Sequence, residues 1–123
     1  MIGIGTDIVQ IDRIAKVYEK QGERFVNRIL TKAEQEVFHQ RQQSIAFLAN
    51  RYAAKEAIAK ALGTGIAKGV NFIDLEVLPD PFGAPKVSLH GYAKQLLEEK
   101  GGCRADISLS DERDYAVAFV VLS

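Results

Sequence analysis

Two periods of apolar residues divide the chain, one of two residues and one of three to four. The opening run Ile2-Gly3-Ile4-Gly5-Thr6-Asp7-Ile8 alternates apolar residues with glycine and reads as a strand. Glycine inside a strand marks a bulge or a close backbone approach. Asp7 is expected at or just past the strand end, where side chains commonly face a site. Ile11, Ile14, Ala15 and Tyr18 then fall at helical spacing and predict a short amphipathic helix ending near Gly22. Phe25, Ile29 and Leu30 supply apolar anchors beyond it. Thr31-Lys32-Ala33-Glu34 matches a capping box, in which the N-cap hydroxyl and the third residue's carboxylate satisfy each other's backbone N–H. The helix it starts is expected to reach about Gln42. Ser44 caps a longer helix from about Ile45 to Leu62, with Gly63 as its left-handed stop. Alanines at 49, 53, 54, 57, 59 and 61 permit close packing and mark this as the central helix.

In the second half, Phe72 to Leu78 reads as a strand, with Ile73, Leu75 and Val77 on one side and Asp74 and Glu76 on the other. Pro79-Asp80-Pro81-Phe82-Gly83 is a turn, and Pro85 to Leu89 returns antiparallel. Gly91 to Lys100 is helical, with Ala93, Leu96 and Leu97 inward and Gly101-Gly102 ending it. Two strands follow, about Arg104–Leu109 and Tyr115–Leu122, joined by a turn at Asp111–Asp114. The order is β, three helices, then ββαββ, which is an α+β class with a mainly antiparallel sheet and a long central helix. With 123 residues, no repeat and no linker, residues 1–123 are expected to form a single domain.

Composition narrows the function. Hydrophobic residues make up 47% and charged residues 26%, which argues against disorder. Sixteen basic and sixteen acidic residues balance, so no global charge points to nucleic acid or a membrane surface. One cysteine, Cys103, excludes an internal disulfide framework and a thiolate metal cluster, and a lone thiol fits a reducing compartment. No window is apolar enough to span a bilayer. The N-terminus lacks a basic region and Asp7 interrupts its apolar run, so no signal peptide is expected and the protein reads as cytoplasmic. A chain this short buries a limited share of its surface, so a second copy is a natural source of a cleft's far wall.

The densest chemistry lies between Arg51 and Gly65. Arg51, Lys55 and Lys60 line a helix that exits into Gly63-Thr64-Gly65. Lysines supply fixed positive charge, and glycines let backbone N–H groups approach an anion, so the segment suggests a phosphate site. It is not a Walker loop, because the lysines precede the glycines. The plainer account makes Glu56 and Lys60 an i,i+4 pair on a solvated face and Gly63 only a helix stop. Asp7 likewise has two readings: a cap for the helix at Ile11, or a partner of Glu56 in holding Mg²⁺. Magnesium takes one or two protein carboxylates and completes its shell with water and phosphate. Arg13, Lys16, Lys20, Arg24, Arg28 and Lys32 form a local basic series, suited to an acidic partner or simply a solvated face that Gly22 interrupts. His39 and His90 have no ligand spacing, Ser108 and Ser110 lack a nucleophile elbow, and Cys103 reads as a small packed residue.

Taken together, the segments resemble the holo-acyl-carrier-protein synthases, the short single-domain 4′-phosphopantetheinyl transferases. The opening block is Gly3-Ile4-Gly5-Thr6-Asp7-Ile8-Val9 with Ile11 and Arg13-Ile14. The second runs from Phe25 through Arg28-Ile29-Leu30-Thr31 to Glu34. The signature block is Arg51 through Ala53-Ala54-Lys55-Glu56-Ala57, Lys60-Ala61 and Gly63-Thr64-Gly65-Ile66. Gly83-Ala84-Pro85, Ser108-Leu109-Ser110 and Tyr115-Ala116 match the C-terminal half. The resemblance spans nearly the whole chain, and its combination of blocks is specific where each alone is weak.

The resemblance implies transfer of 4′-phosphopantetheine from coenzyme A to a serine of apo acyl carrier protein, with adenosine 3′,5′-bisphosphate leaving. It implies the family's α+β fold, a homotrimer with coenzyme A at subunit interfaces, and a place in fatty acid biosynthesis. Asp7 and Glu56 match Mg²⁺ ligands, and Glu56 is further expected to take the serine proton. Arg51, Lys55 and Lys60 match basic positions near the coenzyme phosphates, with Gly63, Thr64 and Gly65 lining the nucleotide pocket. Arg13 matches a position that meets the carrier, with Arg24 and Arg28 as companions. Asp111 departs from the pattern, because some relatives place a nucleotide-contacting His there. The competing reading is a carrier-protein or nucleotide binding module without catalysis, which needs no carboxylate pair. A third is a subunit of a larger assembly.

Overall fold

A computed structural model describes residues 1–123. Its organising element is the long helix that the alanines mark. Strand β1 (Gly3–Gln10) leads into helices α1 (Ile11–Gln21), α2 (Glu23–Ile29), α3 (Lys32–Gln40) and α4 (Ile45–Leu62). A 3₁₀ turn (Phe72–Asp74), strands β2 (Leu75–Pro79) and β3 (Pro85–Leu89), helix α5 (Gly91–Glu99) and strands β4 (Ala105–Asp111) and β5 (Tyr115–Leu122) complete the chain. α4 is buried on most of its circumference, as an apolar helix at the centre of a fold must be. The β1-β5-β4 sheet covers one side of it, while α1 and the β2-β3 pair close the other.

All strand pairs are antiparallel. In β5, Ala116, Ala118, Val120 and Leu122 are buried against α4, and Tyr115, Val117 and Phe119 face outward. β1 pairs with this strand in the register Gly5 to Val120 and Asp7 to Ala118. The glycines of β1 have a steric reason. A Cβ on Gly5 would collide with the carbonyl oxygen of Ala57 and lie 2.8 Å from the amide nitrogen of Ala61; one on Gly3 would collide with the Ala61 carbonyl. Strand and helix meet backbone to backbone, which only glycine opposite alanine permits.

The caps form as their sequences require. The Thr31 hydroxyl accepts from Glu34 N at 3.2 Å, and Glu34 accepts from Thr31 N at 2.8 Å. Ser44 accepts from Phe47 N, and Gly63 stops α4 in the left-handed region at φ 86°. Several expectations change. β1 continues to Gln10, so Asp7 lies within the strand; Gln10 occupies the α1 N-cap position, which excludes a capping role for Asp7. Phe25 to Ile29 belong to a helix of their own, separated from α1 by Gly22 at φ 55°. α3 ends at Gln40, and Gln42 and Gln43 take positive φ. The strand expected from Phe72 begins only at Leu75, because the 3₁₀ turn rotates Ile73 to the surface while Leu75 and Val77 stay buried. Cys103 is exposed rather than packed. No helix is long and apolar enough to cross a membrane.

Candidate active site

The close approach of β1 to α4 determines what meets at its edge. Gly5, Asp7 and Val9 point toward α4, so the Asp7 carboxylate lies beside the helix. Lys60, in the last turn of α4, donates to Asp7 Oδ1 at 2.9 Å and to the Thr6 carbonyl at 3.1 Å. Its partner is therefore Asp7, across the tertiary contact, and not the helical i,i+4 pair with Glu56. One turn back, Glu56 is partly buried. Burial pushes its carboxyl above the usual carboxylate range, and the negative charge of Asp7 pushes it further. Lys60, the Tyr52 hydroxyl and Arg13 oppose that rise. Tyr52 is itself raised, first by burial and then by Glu56.

Glu56 opens onto a cleft of about 370 Å³ lined by Arg13, Phe25, Arg28, Tyr52 and Phe72, among others. Its aromatic wall is continuous: Tyr52 stacks on Phe72 with centroids 5.6 Å apart and tilts against Phe25 at 6.3 Å. The Arg28 guanidinium sits 5.8 Å from the Phe72 ring centroid, a cation–π distance. The site thus joins a carboxylate pair and an ammonium to an apolar cleft bearing two arginines.

Two residues expected at the coenzyme phosphates are turned into the core. Lys55 is completely buried, and its ammonium donates to Glu34 Oε1 (2.6 Å), the Ile29 carbonyl (2.6 Å) and the Phe72 carbonyl (3.1 Å). Three donors and three acceptors leave nothing for a ligand. Desolvation lowers the lysine's proton affinity, and Glu34 opposes that change. Arg51, 4% exposed, donates from Nε to the Val77 carbonyl at 3.0 Å and lies with Cζ 4.3 Å from the Phe47 ring centroid. Burial, the largest influence, brings its pKa down to about 10. Both cations tie core elements together, and Lys55 keeps no free donor for a phosphate. The Gly63-Thr64-Gly65 loop also differs from an anion cradle. Gly63 N bonds to Lys60 O, and Thr64 N and Gly65 N both bond to Ala59 O. These amides finish the helix, so the loop can offer space but no free N–H. A Cβ at Gly63 or Gly65 would meet nothing within 4 Å.

Of the remaining candidates, Arg13 and Arg28 line the cleft with Glu56, whereas Arg24 does not. No group of three or more His, Cys, Asp or Glu could hold a metal. Asp7 and Glu56 nevertheless fit a hard dication that draws its other ligands from phosphate and water, since the Asp7 charge raises the cost of charging Glu56 and a cation relieves it. Sequence reasoning passed over Tyr52, Phe72 and Glu34. Tyr52 is four residues before Glu56, and that helical spacing is the available signal; Glu34 reads from the sequence as a cap and as part of a family block, with no sign of its ion pair.

Comparison with known proteins supplies the family. Residues 3–120 match the family model described as ACPS: 4′-phosphopantetheinyl transferase superfamily. The holo-[acyl-carrier-protein] synthase of Vibrio atlanticus is 49% identical over 122 residues, covering 99% of this chain and 97% of that protein. That of Halorhodospira halophila is 51% identical over 120 residues, covering 98% and 95%. The crystal structure of the Neisseria meningitidis synthase superposes with a TM-score of 0.92 at 43% identity, covering 100% of this chain and 98% of that one. The Helicobacter pylori synthase, solved in complex with coenzyme A, gives 0.87 at 32% identity, covering 98% and 99%. With fold and sequence in agreement, the chain belongs to the 4′-phosphopantetheinyl transferase superfamily and is an enzyme of its holo-[acyl-carrier-protein] synthase family.

Proposed function

We propose that this enzyme transfers 4′-phosphopantetheine from coenzyme A to a serine hydroxyl of an apo acyl carrier protein. The observation that carries the reading is the placement of Asp7, Glu56 and Lys60 beside an apolar cleft that presents Arg13 and Arg28. Serine oxygen forms a bond to the phosphorus that bears pantetheine, the pyrophosphate P–O bond breaks, and adenosine 3′,5′-bisphosphate leaves. Glu56 accepts the serine proton; a carboxylate held above its usual range is the better base near neutrality. Lys60, half exposed beside Asp7, balances charge on the pyrophosphate. Mg²⁺ held by Asp7 and Glu56 would neutralise phosphate charge and orient the pyrophosphate for in-line displacement. Gly63, Thr64 and Gly65 give the nucleotide room, and Arg13 and Arg28 meet the acidic carrier, with Arg24 as a companion that does not line the cleft.

The assembly is a homotrimer with coenzyme A between subunits. Supporting it, the outer face of the three-stranded sheet exposes Ile4, Ile8, Val117 and Phe119, with Ile8 63% and Phe119 47% accessible. A cytoplasmic setting keeps the exposed Cys103 thiol reduced.

The direct test is the intact mass of an apo acyl carrier protein after incubation with this protein, coenzyme A and Mg²⁺, with and without a chelator. A phosphopantetheine-sized gain that the chelator abolishes is the expected result. No gain with folded protein and a carrier that another transferase can load would refute the reading and leave a binding module without turnover.

A further inference from the structure

Lys55 and Glu56 are neighbours on α4, yet the first turns wholly inward. Both Lys55 and Glu34 are 0% exposed in their side chains. Around this pair four elements meet. Lys55 belongs to α4, Ile29 ends α2, Phe72 opens the 3₁₀ turn, and Glu34 sits in the first turn of α3. Glu34 adds a fifth, accepting from the Val77 amide of β2 at 2.7 Å with its second oxygen.

Two of the three acceptors of Lys55, Ile29 and Phe72, line the cleft beside Glu56, and Arg28 precedes one of them and covers the ring of the other. A positive charge also suits the carbonyl end of α2, where the helix dipole is negative. The arrangement exceeds what stability alone calls for, because a buried ion pair replaced by apolar residues of similar volume often leaves a protein as stable or more so. What apolar side chains cannot supply is a fixed separation between named backbone atoms.

We propose that Lys55 and Glu34 are positioning residues for carrier docking: one ammonium, fixed to the helix that carries Glu56, holds both walls of the cleft at a set distance from that carboxylate. The inference rests on the reading that this cleft receives the carrier. The serine must reach Glu56 while the carrier rests on Arg13, Arg28 and the aromatic wall. Loosening α2 and the 3₁₀ turn therefore misplaces the carrier and leaves the Asp7–Lys60 side, where the coenzyme sits, in place.

The test uses the full chain with Lys55→Met, Glu34→Gln and the double variant, alongside Arg13→Glu. Lys55→Met alone strands the Glu34 charge in the core and is expected to fold poorly; the double variant removes both charges and is expected to stay folded. Thermal unfolding, coenzyme A affinity by calorimetry, and KM and kcat for apo carrier are measured below each variant's transition. For the folded double variant the expectation is a carrier KM raised by roughly tenfold or more, a smaller change in kcat, and coenzyme A affinity within about twofold. A folded double variant with parental KM and kcat overturns the inference. So does a matched loss of coenzyme affinity and carrier KM, which would mean general loosening. Failure of every variant to fold overturns it too, by making the pair a folding requirement only. If Arg13→Glu leaves carrier KM unchanged, the cleft does not receive the carrier, and the underlying reading fails rather than the positioning argument built on it.

Discussion

Gly5→Ala isolates the contact on which the site is built. The φ of Gly5 is not in the left-handed region, so alanine has no backbone objection to the position. By the unfolded-state argument alone the substitution would stabilise by about 0.4–1 kcal/mol. Space decides otherwise. The new methyl would overlap the Ala57 carbonyl oxygen, lie 2.8 Å from Ala61 N and 3.0 Å from Ala57 C, all of them main-chain atoms of α4. No rotamer change relieves a clash with backbone, so β1 must withdraw from the helix. Overpacking of this kind costs about 1–3 kcal/mol, which exceeds the entropic gain. For a domain of this size each kcal/mol lowers Tm by about 3–6 °C. The functional loss is larger, because Asp7 lies two residues along the same face and moves with the strand. A displacement of roughly 1 Å can cost on the order of a hundredfold in rate. Gly101→Ala is the comparison: its φ of 85° imposes about 1–2 kcal/mol of strain, but a Cβ there meets nothing within 4 Å. Both variants lose Tm by differential scanning calorimetry; only Gly5→Ala loses turnover in the carrier mass assay. A Gly5→Ala protein with unchanged or raised Tm and parental turnover would show that the backbone approach does not organise the site.

Glu56→Gln is expected to abolish turnover yet raise stability at neutral pH. Because burial and Asp7 raise the folded pKa of Glu56, the folded state binds its proton more tightly, and wild-type stability falls as pH rises through the window above 4.5. The Tm difference between variant and wild type should vanish in acid below that window; a constant difference at all pH values would refute the assignment. For the carrier, Arg28→Glu should raise KM more than Arg24→Glu, since only Arg28 lines the cleft. Equal effects, measured by steady-state kinetics with coenzyme A saturating, would replace the cleft with a diffuse basic surface. Phe119→Asp on the outer sheet face should dissociate the proposed trimer to monomers in sedimentation velocity without unfolding the chain; an unchanged sedimentation coefficient would refute a trimer packed through this face.

Local rules made much of this protein readable in advance. Thr31 with Glu34, Ser44 and Gly63 fall at the helix ends that hydrogen-bond satisfaction demands, and those demands are met within a few residues of chain. The glycines of β1 and the alanines of α4 likewise announced a close approach. The α+β class and most element positions followed, and with them the candidacy of Asp7, Glu56 and Lys60.

The tertiary structure alone decided what each charge does. Lys55 and Lys60 stand five residues apart in one motif and are chemically alike. One is enclosed by Ile29, Glu34 and Phe72; the other reaches Asp7 at the surface. Helical spacing places a residue on a side of its helix, but whether that side meets core or solvent depends on which distant elements lie against it. The same holds for Glu34, whose capping role was visible and whose ion pair was not. It holds for the Gly63-Thr64-Gly65 amides, which the end of α4 consumed before any ligand arrived. Caps and periodicity are properties of short segments, settled by backbone geometry. Burial, charge pairing and proton affinity depend on neighbours remote in the chain, because the dielectric and the partners of a group exist only once the fold has closed around it.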